Sequence, residues 1–170
     1  PREHYLATPI TELPGPPTDS GPWGFFRGYN LGGPAVVIDG NPWAADGAPE
    51  VSAPASVLDL PGIPLLPPTD DARADMIHSF RWGNPATVIV SDVPSGTYAV
   101  YVYVWEDNDS ESLTLSLGGQ VVQRRHASGD KGEWHRLGPW VADVADGAIE
   151  VTATGGAANL SGVELWQRTP

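Results

Sequence analysis

Aromatic and acidic side chains occur together at the end of one apolar segment. Trp105 is followed at once by Glu106, Asp107, Asn108 and Asp109. Carboxylate and amide groups form hydrogen bonds with hydroxyls, and an exposed indole offers a flat apolar face. Because sugars present C–H faces and a ring of hydroxyls, this combination of side chains is the chemistry that a carbohydrate-binding site needs.

Further side chains of the same kinds are spread along the chain. The candidate aromatic platforms are Trp43, Trp82, Trp105 and Trp134, and the further candidate partners of hydroxyl groups are Arg81 and Asn159. Seven Trp in a small domain mostly form core, so burial is the better expectation for any single one of them. We assign Trp140 and Trp166 to packing and expect at least one other Trp to be exposed.

The same acidic segment could bind a cation. Asp107, Asp109 and Glu111 alternate along the chain, and alternating oxygen ligands suit calcium. The full D-x-D-x-D-G pattern is missing, and acidic turns are usually solvated. We therefore predict no cofactor beyond a weakly indicated structural calcium ion.

Catalytic motifs are absent from the sequence. His4, His78, His126 and His135 are far apart and lack the spacing of an H-E-x-x-H zinc site. There is no G-x-S-x-G motif, and no glycine pair is followed by the helix that a phosphate-binding loop requires. With 21 acidic residues a chance pair of carboxylates is expected, so glycoside hydrolysis gains no support. We predict that the domain is not an enzyme, and a small hydrolase is the weakest hypothesis.

One predicted strand positions the 106–109 segment. From Gly96 to Trp105 the side chains alternate between two faces, Val100, Val102 and Val104 on one and Tyr101, Tyr103 and Trp105 on the other. Both faces are apolar, which predicts a central strand covered on each side. The aromatic face could line a concave sheet that holds a polysaccharide chain, or lie beneath the proline-rich segment 47–69. We favour coverage, because that segment has the aliphatic residues to supply it.

Turn residues divide the rest of the chain into short strands. With 20 Gly, 18 Pro and no long helix-forming window, the composition is typical of an all-β protein. We predict strands at Trp23–Leu31, Ala35–Ile38, Met76–Trp82, Thr87–Val90, Ser112–Leu117, Val121–His126, Trp134–Val144 with a bulge or kink at Gly138-Pro139, Ile149–Thr154 and Leu160–Gln167. Thr69–Ala72 could cap one helical turn. The prediction is a jelly-roll β-sandwich over 23–170, with a proline-rich linker or arm at 1–22 and one long proline-rich loop at 47–69.

Charge and composition exclude several functions. The net charge of -12 and only nine Lys and Arg argue against binding nucleic acid or an anionic membrane. The lack of Cys excludes disulfides, thiolate zinc sites and Cys nucleophiles. There is no signal peptide and no apolar run long enough to cross a bilayer, and the chain begins at Pro1. We expect a fragment of a larger protein, with an acidic, Trp-rich surface that suits an extracellular or periplasmic location.

The order of several short motifs resembles the malectin-like branch of the galactose-binding-like β-sandwiches, which are non-catalytic carbohydrate-binding modules. The motifs are Tyr29–Gly33, Asp39-Gly40 with Trp43 and Asp46, Phe80–Gly83, Val93–Tyr98, Trp105-Glu106, Gly118-Gly119 and Leu160–Leu165. In malectins, aromatic residues on the loops at one end of the sandwich hold a glucose disaccharide. The resemblance implies that Trp43 and Trp82 match two of these aromatics, and that the fold can carry a structural calcium ion.

Half of the family's sugar pocket is altered in this chain. Asp107, Asn108 and Asp109 stand where the family has an aromatic pair after the residue that matches Glu106. Near the last strand, where the family has an acidic ligand residue, the only polar side chain is that of Asn159. The glucose specificity of malectins is therefore not implied.

These observations lead to two main hypotheses. The first is a non-catalytic carbohydrate-binding module from a larger secreted bacterial protein, covalently linked to other domains. It would bind a neutral oligosaccharide or polysaccharide by stacking on Trp43 and Trp82, with Arg81, Glu106–Asp109 and Asn159 contacting hydroxyls. The second is a structural or protein-interaction domain on the same fold without a sugar site, which the acidic replacements at 107–109 motivate.

Overall fold

The computed structural model describes residues 15–18 and 22–170. Most of the predicted arm at 1–22 therefore lies outside the described residues. The strands are β1 (Trp23–Asn30), β2 (Val36–Ile38), β3 (Asn41–Ala45), β4 (Val51–Ser52), β5 (Ser56–Asp59), β6 (Ser79–Trp82), β7 (Ala86–Val90), β8 (Gly96–Trp105), β9 (Ser112–Leu117), β10 (Gln120–Ala127), β11 (Trp134–Val144), β12 (Ile149–Thr154), β13 (Asn159–Leu160) and β14 (Gly162–Arg168). One helix, α1 (Asp71–His78), lies between β5 and β6.

Two sheets form a sandwich. The six-stranded sheet has the order β11-β8-β14-β1-β3-β2, and the five-stranded sheet has the order β10-β9-β12-β7-β4. Valines of β8 and leucines of β9 belong to the buried core between them, together with Tyr98, Val151 and Leu165. The predicted all-β sandwich is therefore confirmed.

Strand β8 is central, as its alternation predicts. It pairs with β11 on one side and with β14 on the other. Its valine face lies in the core between the sheets, and its aromatic face lies on the outer side of the six-stranded sheet. A strand with two apolar faces is buried on both of them.

The outer face of β8 is covered rather than open. The Tyr103 ring stacks on Trp134 at 6.0 Å between centroids. Trp105 makes edge contacts with Phe80 at 5.6 Å and with His78 at 5.5 Å. Leu65, from the proline-rich segment, is buried in the same cluster. The favoured interpretation, in which the proline-rich segment covers the aromatic face, agrees with the position of Leu65, and side chains outside that segment complete the cover.

A small third sheet lies at one end of the sandwich. Its order is β13-β6-β5, and Trp82 at the end of β6 pairs with Asn159 on one side and Ser56 on the other. Strands β4 and β5 fall within 47–69, where the sequence predicts one long loop. Both are short and lie between prolines, so neither produces a visible alternation.

The segment before β6 is helical where the sequence predicts a strand. Helix α1 runs to His78, so the predicted strand Met76–Trp82 is wrong for its first three residues. Asp70 caps the helix, since its Oδ1 accepts a hydrogen bond from the backbone N–H of Arg73 at 2.9 Å. The predicted cap is therefore present, and the helix that it begins has two turns rather than the predicted one.

The predicted bulge in β11 is present. The register with β8 shifts between Leu137 and Trp140, around Gly138. Gly138 has φ 109°, and a Cβ there would lie 2.5 Å from the carbonyl oxygen of Val100. Only glycine fits such a close approach with positive φ.

Within residues 15–18 and 22–170, no helix has the length and apolar character needed to span a membrane.

Candidate functional site

Trp82 is the exposed indole of this domain. All seven Trp lie within the described residues, and Trp82 is the only one with an exposed side chain, at 40%. It is the last residue of β6, at the end of the sandwich where β8 runs into Glu106. Of the predicted stacking platforms, it is the one that a ligand can reach from solvent.

Three other predicted platforms are buried. Trp43, Trp105 and Trp134 are 3%, 0% and 4% exposed. Trp43 packs over Gly28, where a Cβ would lie 2.4 Å from the indole, and the Trp134 Nε1 donates to the carbonyl of Pro67 at 2.7 Å. The candidate role of these three indoles as stacking platforms is wrong, because core packing holds them, whereas the expectation that any single Trp is buried agrees with the structure.

Arg81 is occupied by structural contacts. Its guanidinium forms a two-point ion pair with the Asp46 carboxylate, through Nε at 3.0 Å and through Nη2. Its Nη1 donates to the carbonyl of Ala55 at 2.6 Å, and the Gly32 N–H donates to Asp46 at 2.8 Å. Burial alone would raise the pKa of Asp46, but the hydrogen bonds from Arg81 and Gly32 and the Arg81 charge outweigh it and lower that pKa. Arg81 therefore ties β6 to neighbouring loops rather than projecting toward a ligand.

Asn159 is also occupied. Its Nδ2 donates to the Trp105 carbonyl at 2.6 Å, and its Oδ1 accepts from the Trp105 N–H at 3.1 Å. The buried amide thus joins β13 to the end of β8. Its two hydrogen bonds to the Trp105 backbone replace those that a neighbouring strand would form with it. The prediction that Asn159 contacts hydroxyls of a ligand is wrong, because both ends of its amide are used.

Glu106 organises the loop that follows β8. Its carboxylate is 2% exposed, and it accepts from the Ser128 hydroxyl at 2.6 Å and from the Asn108 N–H at 2.9 Å. Burial raises the pKa of Glu106, and the two hydrogen bonds only partly offset this effect. Glu106 therefore positions the loop and cannot itself contact a ligand in solvent.

A second carboxylate joins the neighbouring loops. Glu111 Oε1 accepts from the Ala157 N–H at 2.9 Å, and the Glu111 N–H donates to Ser128 at 2.7 Å. Three loops are thereby fixed to one another at this end of the sandwich. No pattern in the sequence indicates the roles of Ser128 and Ala157, because a single serine and a backbone amide form no motif.

The weakly indicated calcium site is not assembled in the described part of the chain. Residues 15–18 and 22–170 contain no group of three or more His, Asp or Glu side chains that could hold a metal ion. Of the three predicted ligands, Glu111 is directed to the 155–158 loop, whereas Asp109 is exposed. The alternation of acids along the chain does not bring Asp107, Asp109 and Glu111 around one point.

Comparisons with known proteins identify the fold. No protein-family model matches this sequence, and no curated protein does. Among solved structures, the extracellular domain of ANXUR2 from Arabidopsis thaliana aligns with a TM-score of 0.69 at 15% identity, over 86% of this chain and 49% of that chain. The plant receptor-like kinase FER aligns with a TM-score of 0.66 at 16% identity, over 86% of this chain and 50% of that chain. The chain has the malectin-like β-sandwich fold.

Part of a much longer chain has a similar fold. Bacteroides uniformis beta-glucuronidase 2 aligns with a TM-score of 0.67 at 14% identity, over 84% of this chain and 18% of that chain. The chain thus spans about half the length of the plant receptor structures and a smaller part of the glucuronidase. At these identities the likeness concerns the fold alone.

Four predicted site residues remain accessible on the malectin-like sandwich. They are Trp82, Asp107, Asn108 and Asp109. Trp82 pairs with Asn159, and the Asn159 amide forms hydrogen bonds with the backbone of Trp105. Trp82 and the start of the 106–109 loop are therefore linked through one residue at this end of the sandwich.

Proposed function

We propose that this domain is a non-catalytic carbohydrate-binding module that holds a neutral sugar at the loop end of the sandwich. The Trp82 indole would stack on the apolar face of one ring, and Asp107, Asn108 and Asp109 would contact its hydroxyls. The observation that carries the proposal is the position of Trp82. It is the only exposed Trp, and it lies at the end of the sandwich where the polar loop begins.

The fixed geometry of the neighbouring loops supports the proposal. Glu106 and Glu111 hold the 106–111 segment through hydrogen bonds to Ser128, Asn108 and Ala157. A loop that is ordered before binding loses little conformational entropy when a ligand arrives. The affinity expected from one stacking platform and a few hydrogen bonds is modest, from ~10 µM to mM.

Charge selects the class of sugar. The two accessible carboxylates, those of Asp107 and Asp109, accept hydrogen bonds from hydroxyls and repel a uronate. The site therefore favours neutral sugars over uronic acids. We further propose that the domain works outside the cytoplasm, as a covalently linked part of a larger secreted bacterial protein, and that it needs no cofactor.

The direct test is a glycan array followed by titration of the best ligand. Trp82→Ala should abolish measurable binding, and Trp82→Phe should retain part of it, because a smaller aromatic ring still stacks. Val57→Ala is the matched control, since Val57 is also exposed and lies on the neighbouring strand β5. Binding that survives Trp82→Ala at full strength would refute the loop-end site.

A second candidate function is a protein-interaction domain, and the β5 edge favours it. Strand β5 is the outer strand of its sheet, all four of its residues are exposed, and Val57 and Leu58 are 46% and 38% exposed. Unpaired apolar edges are sites for strand addition by a partner. This function would be favoured if the domain binds no glycan and instead binds a protein partner, and if Leu58→Asp abolishes the binding of that partner.

A further inference from the structure

Two of the five Asn in this chain begin an N-x-[ST] triplet, which is the acceptor pattern for N-linked glycosylation. One triplet is Asn108-Asp109-Ser110, in the loop that follows β8, and the other is Asn159-Leu160-Ser161, which begins at β13. A transferase has to reach both the Asn amide and the hydroxyl two residues later, so the acceptor lies on the surface. The two triplets differ in this respect.

The first triplet is open to solvent. Asn108, Asp109 and Ser110 are all exposed, and residues 107–109 form bends rather than a strand or a helix. The Asn108 N–H donates to Glu106 at 2.9 Å, and the Asn108 Oδ1 accepts from the Asp109 N–H at 2.7 Å. Within the described part of the chain, neither the Asn108 Nδ2 nor the Ser110 hydroxyl has a hydrogen-bond partner. The nitrogen that would carry a glycan is therefore unoccupied, in an exposed side chain.

The second triplet is closed to an enzyme. Asn159 and Ser161 are 3% and 0% exposed. Both ends of the Asn159 amide form hydrogen bonds with the Trp105 backbone, and the Ser161 hydroxyl donates to the Ile77 carbonyl at 2.8 Å. An enzyme that acts on the folded domain can therefore modify the first triplet but not the second.

We propose that Asn108 is a modification site, which accepts an N-linked oligosaccharide from a donor activated by a lipid-linked diphosphate. In this transfer the Asn108 Nδ2 forms a bond with the anomeric carbon of the donor sugar and loses one proton. The bond between that carbon and the diphosphate oxygen breaks, and its electron pair leaves with the diphosphate. No group is oxidised or reduced. The transfer fits the location outside the cytoplasm proposed above, because N-x-[ST] acceptors are surface loops of secreted proteins.

The modification would also act on the loop-end site, a consequence that rests on the proposed function. Asn108 is one of the polar side chains proposed to contact the hydroxyls of a ligand there. An attached oligosaccharide replaces one hydrogen of its Nδ2 and adds a bulky group to the 107–109 loop. The modified domain should therefore bind a free glycan roughly tenfold more weakly than the unmodified domain, or not at all.

The test treats the folded full chain with an oligosaccharyltransferase that reads N-x-[ST] and with a lipid-linked oligosaccharide. Intact-mass spectrometry measures the glycans per chain. Enzymatic release, which converts a glycosylated Asn to Asp, followed by peptide mapping identifies the site. A glycan should be found at Asn108 and none at Asn159. Ser110→Ala should abolish the transfer, because it removes the required hydroxyl, and Ser110→Thr should retain it.

Ser95→Ala is the matched control, since Ser95 is also exposed and lies outside both triplets, in the turn before β8. A standard N-x-[ST] peptide, treated in parallel, establishes that the enzyme and the donor are active. The proposal is overturned if the folded chain gains no glycan, if the glycan is attached at Asn159, or if Ser110→Ala is modified as fully as Ser95→Ala.

Titration of the best array glycan against the modified and unmodified chains tests the effect on the loop-end site. Equal affinities would overturn that effect. An unmodified chain that binds no glycan would count against the proposed function, whereas the mass spectrum decides the modification of Asn108 by itself. The two failures are therefore distinguishable.

Discussion

The side-chain amide of Asn159 forms hydrogen bonds with both backbone groups of Trp105, at 2.6 Å to the carbonyl and 3.1 Å from the N–H. Trp105 is the last residue of the central strand, and Asn159 begins β13, which pairs with the strand that carries Trp82. One buried side chain therefore joins the third sheet to the main sandwich. It also links the residue that pairs with Trp82 to the residue that precedes the 106–109 loop.

Asn159→Ala should lower the free energy of unfolding by about 2–4 kcal/mol, because it leaves two buried backbone groups of Trp105 without partners. Urea denaturation followed by Trp fluorescence measures this. Asn108→Ala is the control, since Asn108 is exposed and its loss should cost less than about 1 kcal/mol. Equal stability of the two variants would show that the Asn159 amide does not join the sheets.

Glu106→Ala should destabilise the fold by about 2–3 kcal/mol, because the Ser128 hydroxyl and the Asn108 N–H lose a buried acceptor. Glu106→Gln should be nearly neutral. Its amide oxygen can accept from Asn108, and its amide nitrogen can donate to Ser128, whose hydroxyl can turn to the Glu111 carbonyl at 3.1 Å. Thermal unfolding of both variants tests this order, and a Gln variant as unstable as the Ala variant would contradict it.

The His126–His135 contact predicts a loss of stability in acid. His126 Nε2 and His135 Nδ1 lie 3.0 Å apart, between the edge strands β10 and β11 of the two different sheets. Burial, together with the neighbouring His135, lowers the pKa of His126 from 6.5 to about 4, and burial also lowers that of His135. The unfolded chain therefore takes up protons first as the pH falls.

Stability should accordingly fall as the pH is lowered from about 6.5 to about 4 and show no further loss from His126 below that range. In His126→Gln, stability should change less with pH over this range. Above pH ~7.5, where both histidines are neutral, the stability of the variant and that of the parent protein should depend on pH in the same way. The measurement is the urea midpoint as a function of pH. An unchanged acid slope in His126→Gln would contradict the assignment.

Removing divalent cations should leave the domain unchanged. The described residues contain no group of three metal-binding side chains, and Glu111, one of the predicted ligands, is engaged with Ala157. Dialysis against EDTA should therefore shift neither the melting temperature nor the affinity for a bound glycan. If EDTA lowers the melting temperature or the affinity, and added calcium reverses the loss, the calcium hypothesis would be supported.

Periodicity was enough to predict the core strands but not the partners of polar side chains. The alternation of β8 predicts its central position and its two covered faces, and Gly138-Pro139 predicts the bulge in β11. Strands β4 and β5 are too short to show alternation, and the cap at Asp70 directs a helix into a segment whose apolar pattern resembles a strand.

The site was harder to predict because burial depends on contacts that are distant in sequence. Trp43 is buried because Gly28 leaves room for its indole, and Asn159 is occupied because β13 lies beside the end of β8. Neither relationship can be seen in the local sequence. The order of motifs did predict the fold, since it depends on the whole chain.

The measurement that tests the central proposal most directly is amide and indole chemical-shift mapping of the ¹⁵N-labelled domain, titrated with the best glycan from the array. We predict that the largest shifts occur at the Trp82 indole N–H and at the amides of Asp107, Asn108 and Asp109, with the Trp105 and Trp134 indoles nearly unchanged. A glycan that leaves the Trp82 indole and the 107–109 amides unshifted would contradict carbohydrate binding at the loop end.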